Sequence, residues 1–229
     1  MRTAIILTGF VRTYKTTFDF LDYYLLSKYP NTDLYLMTWD HTQNNPKITN
    51  LDTYDKIDQN DILETYNKQR VISYAFEDYL GFIQTKEKLS LISDNKQYKY
   101  GDFWVDRLKD QWRIVQKGWN LIKNPEQYDI IGRIRYDIMF LATPVLKEKE
   151  LCIPPAPTNM FDIIKYSDHM AFGDPAQMQK YCNLYSSISD MSDKVDISDA
   201  DKMLKYYLEN HNDPIVPIIN KTLKYTIMR

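Results

Sequence analysis

The sequence predicts an α/β fold in which helices flank a mostly parallel central sheet. Three observations predict it. Ala4–Leu7 and Asp33–Met37 are short apolar runs separated by one helical stretch, which makes a βαβ unit whose strands are parallel neighbours. Strand-like and helix-like segments then continue to alternate along the chain. Finally, Asp102–Lys123 carries Val105, Leu108, Trp112, Val115, Trp119 and Ile122 at helical spacing, an apolar stripe suited to lying on a sheet. A length of 229 residues with no internal repeat and no linker fits one domain over 1–229.

Element by element, the first strand closes at Thr8-Gly9, and a helix over Thr16–Tyr29 is stopped by Pro30. The second strand ends at Thr38-Trp39-Asp40. His41–Thr53 is polar and turn-rich, hence a loop. Asp58–Lys68 reads as a helix, Arg70–Phe76 as a third strand, and Leu80–Tyr100 as an excursion without period. After the long helix and Pro125, Tyr128–Ile131 and Ile138–Leu141 read as strands on either side of Gly132–Asp137. Pro154–Pro157 is a stiff loop and Ser167–Gly173 a short strand and turn. Asp174-Pro175 opens a helix with Met178, Tyr181, Cys182 and Tyr185 on its buried face. Ser198–Asp201 resembles a capping box before a helix with Met203, Leu204, Tyr207 and Leu208 as its stripe, and Pro214–Ile219 closes with a strand.

Composition excludes several classes. The formal net charge of −2 argues against a general nucleic-acid binder, whose footprint is a basic excess. Two cysteines, Cys152 and Cys182, make no disulfide framework and lack partners at metal spacing. No apolar run approaches a membrane span, and the start at Met1 is too short for a signal peptide, so a cytoplasmic protein is expected.

Ligands of open α/β sheets bind beyond the carboxyl ends of the strands. Three polar clusters fall at such ends: Thr8 to Arg12, Thr38 to Asp40, and Arg133 to Asp137. Gly9 permits a sharp turn or a close backbone approach, and the Arg12 guanidinium suits phosphate oxygens. No glycine-rich dinucleotide fingerprint or phosphate-binding P-loop follows the first strand, which disfavours nicotinamide enzymes and P-loop kinases. In an extended chain Arg133, Arg135 and Asp137 share one face. Two cations and a carboxylate there either pair with one another or meet a diphosphate and a divalent metal. Asp199-Ala200-Asp201 also has Asp-x-Asp form, but its place at a helix start reads as capping.

The opening Ala4-Ile5-Ile6-Leu7-Thr8-Gly9-Phe10-Val11-Arg12-Thr13 resembles that of small GT-A-type glycosyltransferases of capsule and lipopolysaccharide clusters and of large viruses. Asp33–Asp40, Gln111-Trp112, Tyr128–Ile138, Ser167-Asp168 with Phe172-Gly173, and Asp201–Leu204 resemble further segments of that family in the same order. The resemblance implies a GT-A, Rossmann-like fold and transfer of a sugar from a nucleoside-diphosphate sugar to a glycan acceptor. It implies that Thr8, Gly9, Arg12, Thr38, Trp39, Gln111, Arg133 and Arg135 hold the donor, with Thr38 and Trp39 near the base. Asp137 would bind Mn²⁺ or Mg²⁺, and Asp168 or Asp201 would face the acceptor hydroxyl. The chain departs from the family at the Asp-x-Asp motif, where Arg135 stands in the first carboxylate position, so Arg133 and Arg135 are candidates to replace metal charge. Other readings are a non-catalytic sugar-nucleotide- or glycan-binding module and another phosphate-handling α/β enzyme.

Overall fold

The computed structural model describes residues 1–43, 54–66, 70–85, 102–155, 166–210 and 213–228. β1 (Thr3–Gly9) is buried along its length up to Gly9. α1 (Tyr14–Leu21) follows and runs into one π-helical turn, Asp22–Leu26. β2 (Thr32–Trp39) is buried at every position. The expected loop after it begins as a ribbon instead, β3 (His41–Gln43) paired antiparallel with β4 (Tyr54–Lys56). Its residues are polar, so no apolar alternation announces it; residues 44–53 of the predicted loop lie outside the described residues.

α2 (Gln59–Tyr66) and β5 (Arg70–Glu77) are where the pattern puts them. The stretch expected to lack structure opens as α3 (Tyr79–Thr85), with the Asp78 carboxylate accepting from Gly81 N at 2.9 Å; residues 86–100 lie outside the described residues. α4 (Asp102–Trp119) carries the long stripe, and Val105, Leu108, Trp112, Val115, Trp119 and Ile122 are all buried.

β6 (Ile130–Arg135) is longer than the apolar run suggested. It lies between β1 and β9 (Met170–Gly173), and the ladders on both sides recruit Gly132 to Arg135 into the strand. The chain turns at Tyr136-Asp137, so the predicted alternation of Arg133, Arg135 and Asp137 along one strand stops at Arg135. β7 (Ile138–Phe140) leaves the main sheet and pairs antiparallel with β11 (Tyr225–Ile227), a strand with no clear sequence signal. β8 (Cys152–Ile153) pairs with β9 and with β10 (Ile218–Ile219), the short remnant of the strand expected from Pro214.

α5 (Pro175–Cys182) has the expected start, with the Asp174 carboxylate accepting from Gln177 N at 3.0 Å. A 3-10 turn and α6 (Ile188–Met191) lead to α7 (Ala200–Asn210). The cap of α7 is Asp199, whose Oδ1 accepts from Lys202 N at 3.2 Å, and not Ser198, which binds Asp196. The cap is thus shifted by one residue, and it is a simple cap and not a capping box, because the residue three places on is Lys202, whose ammonium cannot accept.

The seven strands of the main sheet run β10-β8-β9-β6-β1-β2-β5. β1 is central, parallel to β2 on one side and to β6 on the other; β2 is parallel to β5, while β9 runs antiparallel to β6. Alternation sorts β1 between two cores: Ala4 and Ile6 face α4 and α5, and Ile5 and Leu7 face α1. The architecture is α/β with a mostly parallel central sheet flanked by helices, compatible with a Rossmann-like fold. No helix among the described residues is long and apolar enough to cross a membrane.

α4 approaches β1 closely at Gly118, where an added Cβ would lie 2.7 Å from Ile6 Cγ2 and 3.1 Å from Thr8 Cγ2. On propensity alone, Gly118→Ala would stabilise a helix by about 1 kcal/mol. Steric overlap with the buried Ile6 reverses the sign, and we expect a net loss of roughly 1–3 kcal/mol. Urea unfolding of the variant measures it; an unchanged or raised midpoint would contradict this packing.

Candidate functional site

The sheet order changes direction at β1. From β1 the chain moves to β2 and β5 on one side and later returns to β6 on the other. The carboxyl ends of β1 and β6 therefore open a crevice, the place where such sheets bind ligands. A cavity of about 300 Å³ occupies it, lined by Thr8, Gly9, Phe10, Arg12, Trp39, Tyr79, Arg107, Leu108, Asp110, Gln111, Ile114, Arg133, Arg135, Tyr136 and Asp137.

The three clusters read from the sequence meet here. Thr8, Gly9, Arg12, Trp39, Gln111, Arg133, Arg135 and Asp137 all border the cavity. Thr38 does not; it is fully buried behind the first loop and donates to Gly9 O at 2.6 Å. That bond secures Gly9, whose φ of 107° is a conformation that L side chains rarely adopt. An added Cβ there would meet nothing within 4 Å, so the backbone angle, and not crowding, calls for glycine.

Arg133 forms the floor. Its side chain is fully buried; Nε donates to Thr8 Oγ1 at 2.8 Å, and Nη1 donates to the backbone carbonyl of Asp168. Its guanidinium carbon lies 5.9 Å from the Trp112 ring centre, within cation–π range. Three buried polar atoms around it, Arg133 Nη2, Tyr181 Oη and Trp112 Nε1, lack hydrogen-bond partners of normal geometry among the described residues.

Arg135 forks onto Asp137, with Nε to Oδ1 at 2.9 Å and Nη2 to Oδ2 at 2.6 Å. Burial alone would lower the Arg135 pKa; the ion pair with Asp137 outweighs it and holds the pKa above its ordinary value. In the structure the arginine–carboxylate pair forms.

The Asp168 side chain is only 10% exposed and does not border the cavity. Its Oδ2 accepts from Gln111 Nε2 at 2.6 Å. Burial pushes its carboxyl up, but His169, Arg135, Gln111 and Arg133 together hold it below the usual carboxylate range. His169 Nε2 sits 3.5 Å from Asp168 Oδ1, and Nδ1 is 2.7 Å from the Tyr225 hydroxyl, which in turn is 2.9 Å from Ser167 Oγ. Burial is the main cause of a depressed His169 pKa. Asp201 lies in the first turn of α7, and it too is absent from the cavity lining. The two carboxylates expected at the acceptor hydroxyl therefore stand behind or beside the crevice.

Asp137 is the residue expected to hold a divalent cation. Both of its carboxylate oxygens are held by Arg135. Among the described residues no three His, Cys, Asp or Glu side chains gather closely enough to hold an ion.

Two walls of the crevice are only partly legible in the sequence, which points to Trp39 and Gln111 but not to Tyr79, Arg107, Asp110 or Ile114. One is aromatic: Phe10, Trp39 and Tyr79 pack edge-on or tilted, with Phe10–Tyr79 and Trp39–Tyr79 centroids 5.1 and 4.9 Å apart. Tyr79 sits at the start of α3, whose N-terminus Asp40 helps fix by accepting from Tyr79 N at 2.9 Å. The other is the second stripe of α4, Arg107, Asp110, Gln111 and Ile114, at the i, i+3, i+4, i+7 spacing of one helix face. This polar spacing runs beside the apolar stripe that packs into the core.

A larger open cavity of about 510 Å³ lies at the opposite, amino-terminal edge, beside Arg2, Asp33, Arg70 and Asp129. Its charges satisfy one another: buried Asp33 accepts from Arg2 and from the Tyr128 hydroxyl and pairs with Arg70 at 3.3 Å. The smaller crevice is the better candidate, because it gathers an excess of guanidinium groups at the topological switch.

No protein-family model matches the chain, and no curated protein matches it.

The depressed His169 pKa makes a stability prediction. A group whose folded pKa lies below its unfolded value contributes stability above the unfolded pKa, here about 6.5, and loses it as pH falls toward the folded value. Urea midpoints are expected to drop between pH 7.5 and 5.5, and His169→Gln is expected to flatten that drop. Equal slopes for the two proteins would remove His169 from the pH dependence.

Proposed function

We propose that the protein is a glycosyltransferase whose crevice binds a nucleoside-diphosphate sugar and passes the sugar to a hydroxyl of a glycan acceptor. One observation carries this reading: four guanidinium-bearing residues, Arg12, Arg107, Arg133 and Arg135, converge at the β1–β6 switch beside an aromatic wall. The wall offers ring faces and edges to a nucleobase, and guanidinium groups match phosphate oxygens in charge and geometry. The ordered likeness of the sequence to small GT-A-type enzymes supports the same reading.

In transfer, the bond from the anomeric carbon to the diphosphate breaks, a bond to the acceptor oxygen forms, and the acceptor's proton passes to the departing diphosphate or to water. Negative charge then builds on the departing nucleoside diphosphate. Arginines already fixed in place stabilise that charge without reorganising. Arg135 is held by Asp137 and Arg133 by Thr8 and the Asp168 carbonyl, so both are preorganised. Asp168 works through Gln111 and Arg133, which it holds, and not at the acceptor.

A second reading, a binding module without turnover, draws on the absence of Asp168 and Asp201 from the cavity lining. Release of nucleoside diphosphate in the presence of an acceptor separates the two.

The test of binding is a thermal-shift panel of uridine, guanosine and cytidine diphosphates and their common sugar conjugates, with and without Mn²⁺. A ligand at 100 times its Kd adds about 2.7 kcal/mol, or a midpoint rise of about 5–10 °C in a domain of this size. We expect such a rise with one nucleotide class, unchanged by Mn²⁺ and reduced in Arg12→Ala. A rise that requires Mn²⁺ would mean that Asp137 gives up Arg135 for a metal. No rise with any compound would overturn the reading.

A further inference from the structure

The crevice has an order along the sheet. Trp39 ends β2, Thr8 and Gly9 end β1, Arg135 ends β6, and Asp168 leads into β9, and these strands are adjacent in that sequence. The aromatic wall is therefore on the β2 side and the Asp168–Gln111 pair on the β9 side, with Arg133 and Arg135 between. If the diphosphate lies against the arginines and the base against the aromatic wall, the sugar falls on the β9 side, beside Gln111.

Gln111 is not free to present either end of its amide. Its Nε2 donates to Asp168 Oδ2 at 2.6 Å. An ionised carboxylate only accepts hydrogen bonds, so the amide nitrogen must face it and the carbonyl oxygen is the end left for the ligand. The cations around Asp168 keep it ionised. Phosphate oxygens have no hydrogen to offer at neutral pH, whereas a sugar hydroxyl does. In a crevice dominated by guanidinium donors, the Gln111 oxygen is an acceptor of fixed direction.

We infer that Gln111 accepts a hydrogen bond from a hydroxyl of the donor's sugar, and that Asp168 is the positioning residue that fixes the amide in that sense. The inference rests on the sugar-nucleotide reading of the crevice and deepens it. Asp168 touches no substrate; it decides which atom of Gln111 does.

The test compares the affinity of a nucleoside diphosphate with that of its sugar conjugate by calorimetry. The probes are uridine diphosphate with UDP-glucose and guanosine diphosphate with GDP-mannose, used on wild type, Gln111→Met and Asp168→Asn. Loss of one neutral hydrogen bond should weaken the conjugate about three- to tenfold in Gln111→Met while the bare diphosphate stays within about twofold. Asp168→Asn, whose amide accepts either orientation of Gln111, should lower the conjugate-to-diphosphate affinity ratio in the same direction by less. If Gln111→Met fails to fold, that ratio in Asp168→Asn is the readout. Equal weakening of conjugate and diphosphate, or no change in the ratio, would overturn the inference while leaving the crevice reading intact. Wild type that binds neither compound of either pair would overturn both.

Discussion

A fully buried guanidinium, that of Arg133, ties the structure together. A cation removed from water is costly unless its hydrogen bonds and charge are met locally. Arg133 meets that demand by drawing on separate parts of the fold: the Thr8 hydroxyl at the end of β1, the Asp168 carbonyl before β9, and the Trp112 ring on α4. Each partner is constrained in turn. Thr8 must stay at the sheet's centre, the 166–169 segment must turn back over β6, and α4 must lie close enough to the sheet to bring its indole over the strand. Gly118 makes that last approach feasible.

The same charge organises the crevice. Asp168 lies close to two arginines and so remains an acceptor, which orients Gln111, while Arg135 stays charged by taking Asp137 as its partner. Asp137 and Asp168 are thus committed to holding other residues. What remains directed at a ligand is mostly cationic or aromatic. Under the proposed reading, an anion with a flat ring at one end and hydroxyls at the other would meet such a surface.

The two edges of the sheet show the contrast. At the amino ends, buried Asp33 is saturated by Arg2, Arg70 and Tyr128, and the larger cavity there has its charges answered internally. At the carboxyl ends, parallel strands diverge on either side of β1 and the arginines outnumber the carboxylates that line the cavity. Volume alone would choose the amino-terminal edge; the balance of charge and the strand order favour the carboxyl-terminal one.

By itself the sequence determined the buried strands, the long helix with its apolar stripe, and the convergence of the β1, β2 and β6 ends. Apolar periodicity is a local signal, and parallel connection follows from chain order, so neither needs tertiary information. It also named most of the residues that line the crevice, because polar groups at the ends of apolar strands stand out. Tertiary structure alone decided the rest. That Arg135 meets Asp137 depends on where the chain turns after β6. That Asp168 stands behind Gln111, that Asp201 lies off the cavity, that Asp199 and not Ser198 caps α7, and that Tyr79 joins Phe10 and Trp39 are all matters of contact between distant segments. Hydrogen-bond partners and burial are set by such three-dimensional neighbours, and spacing along one chain does not contain them.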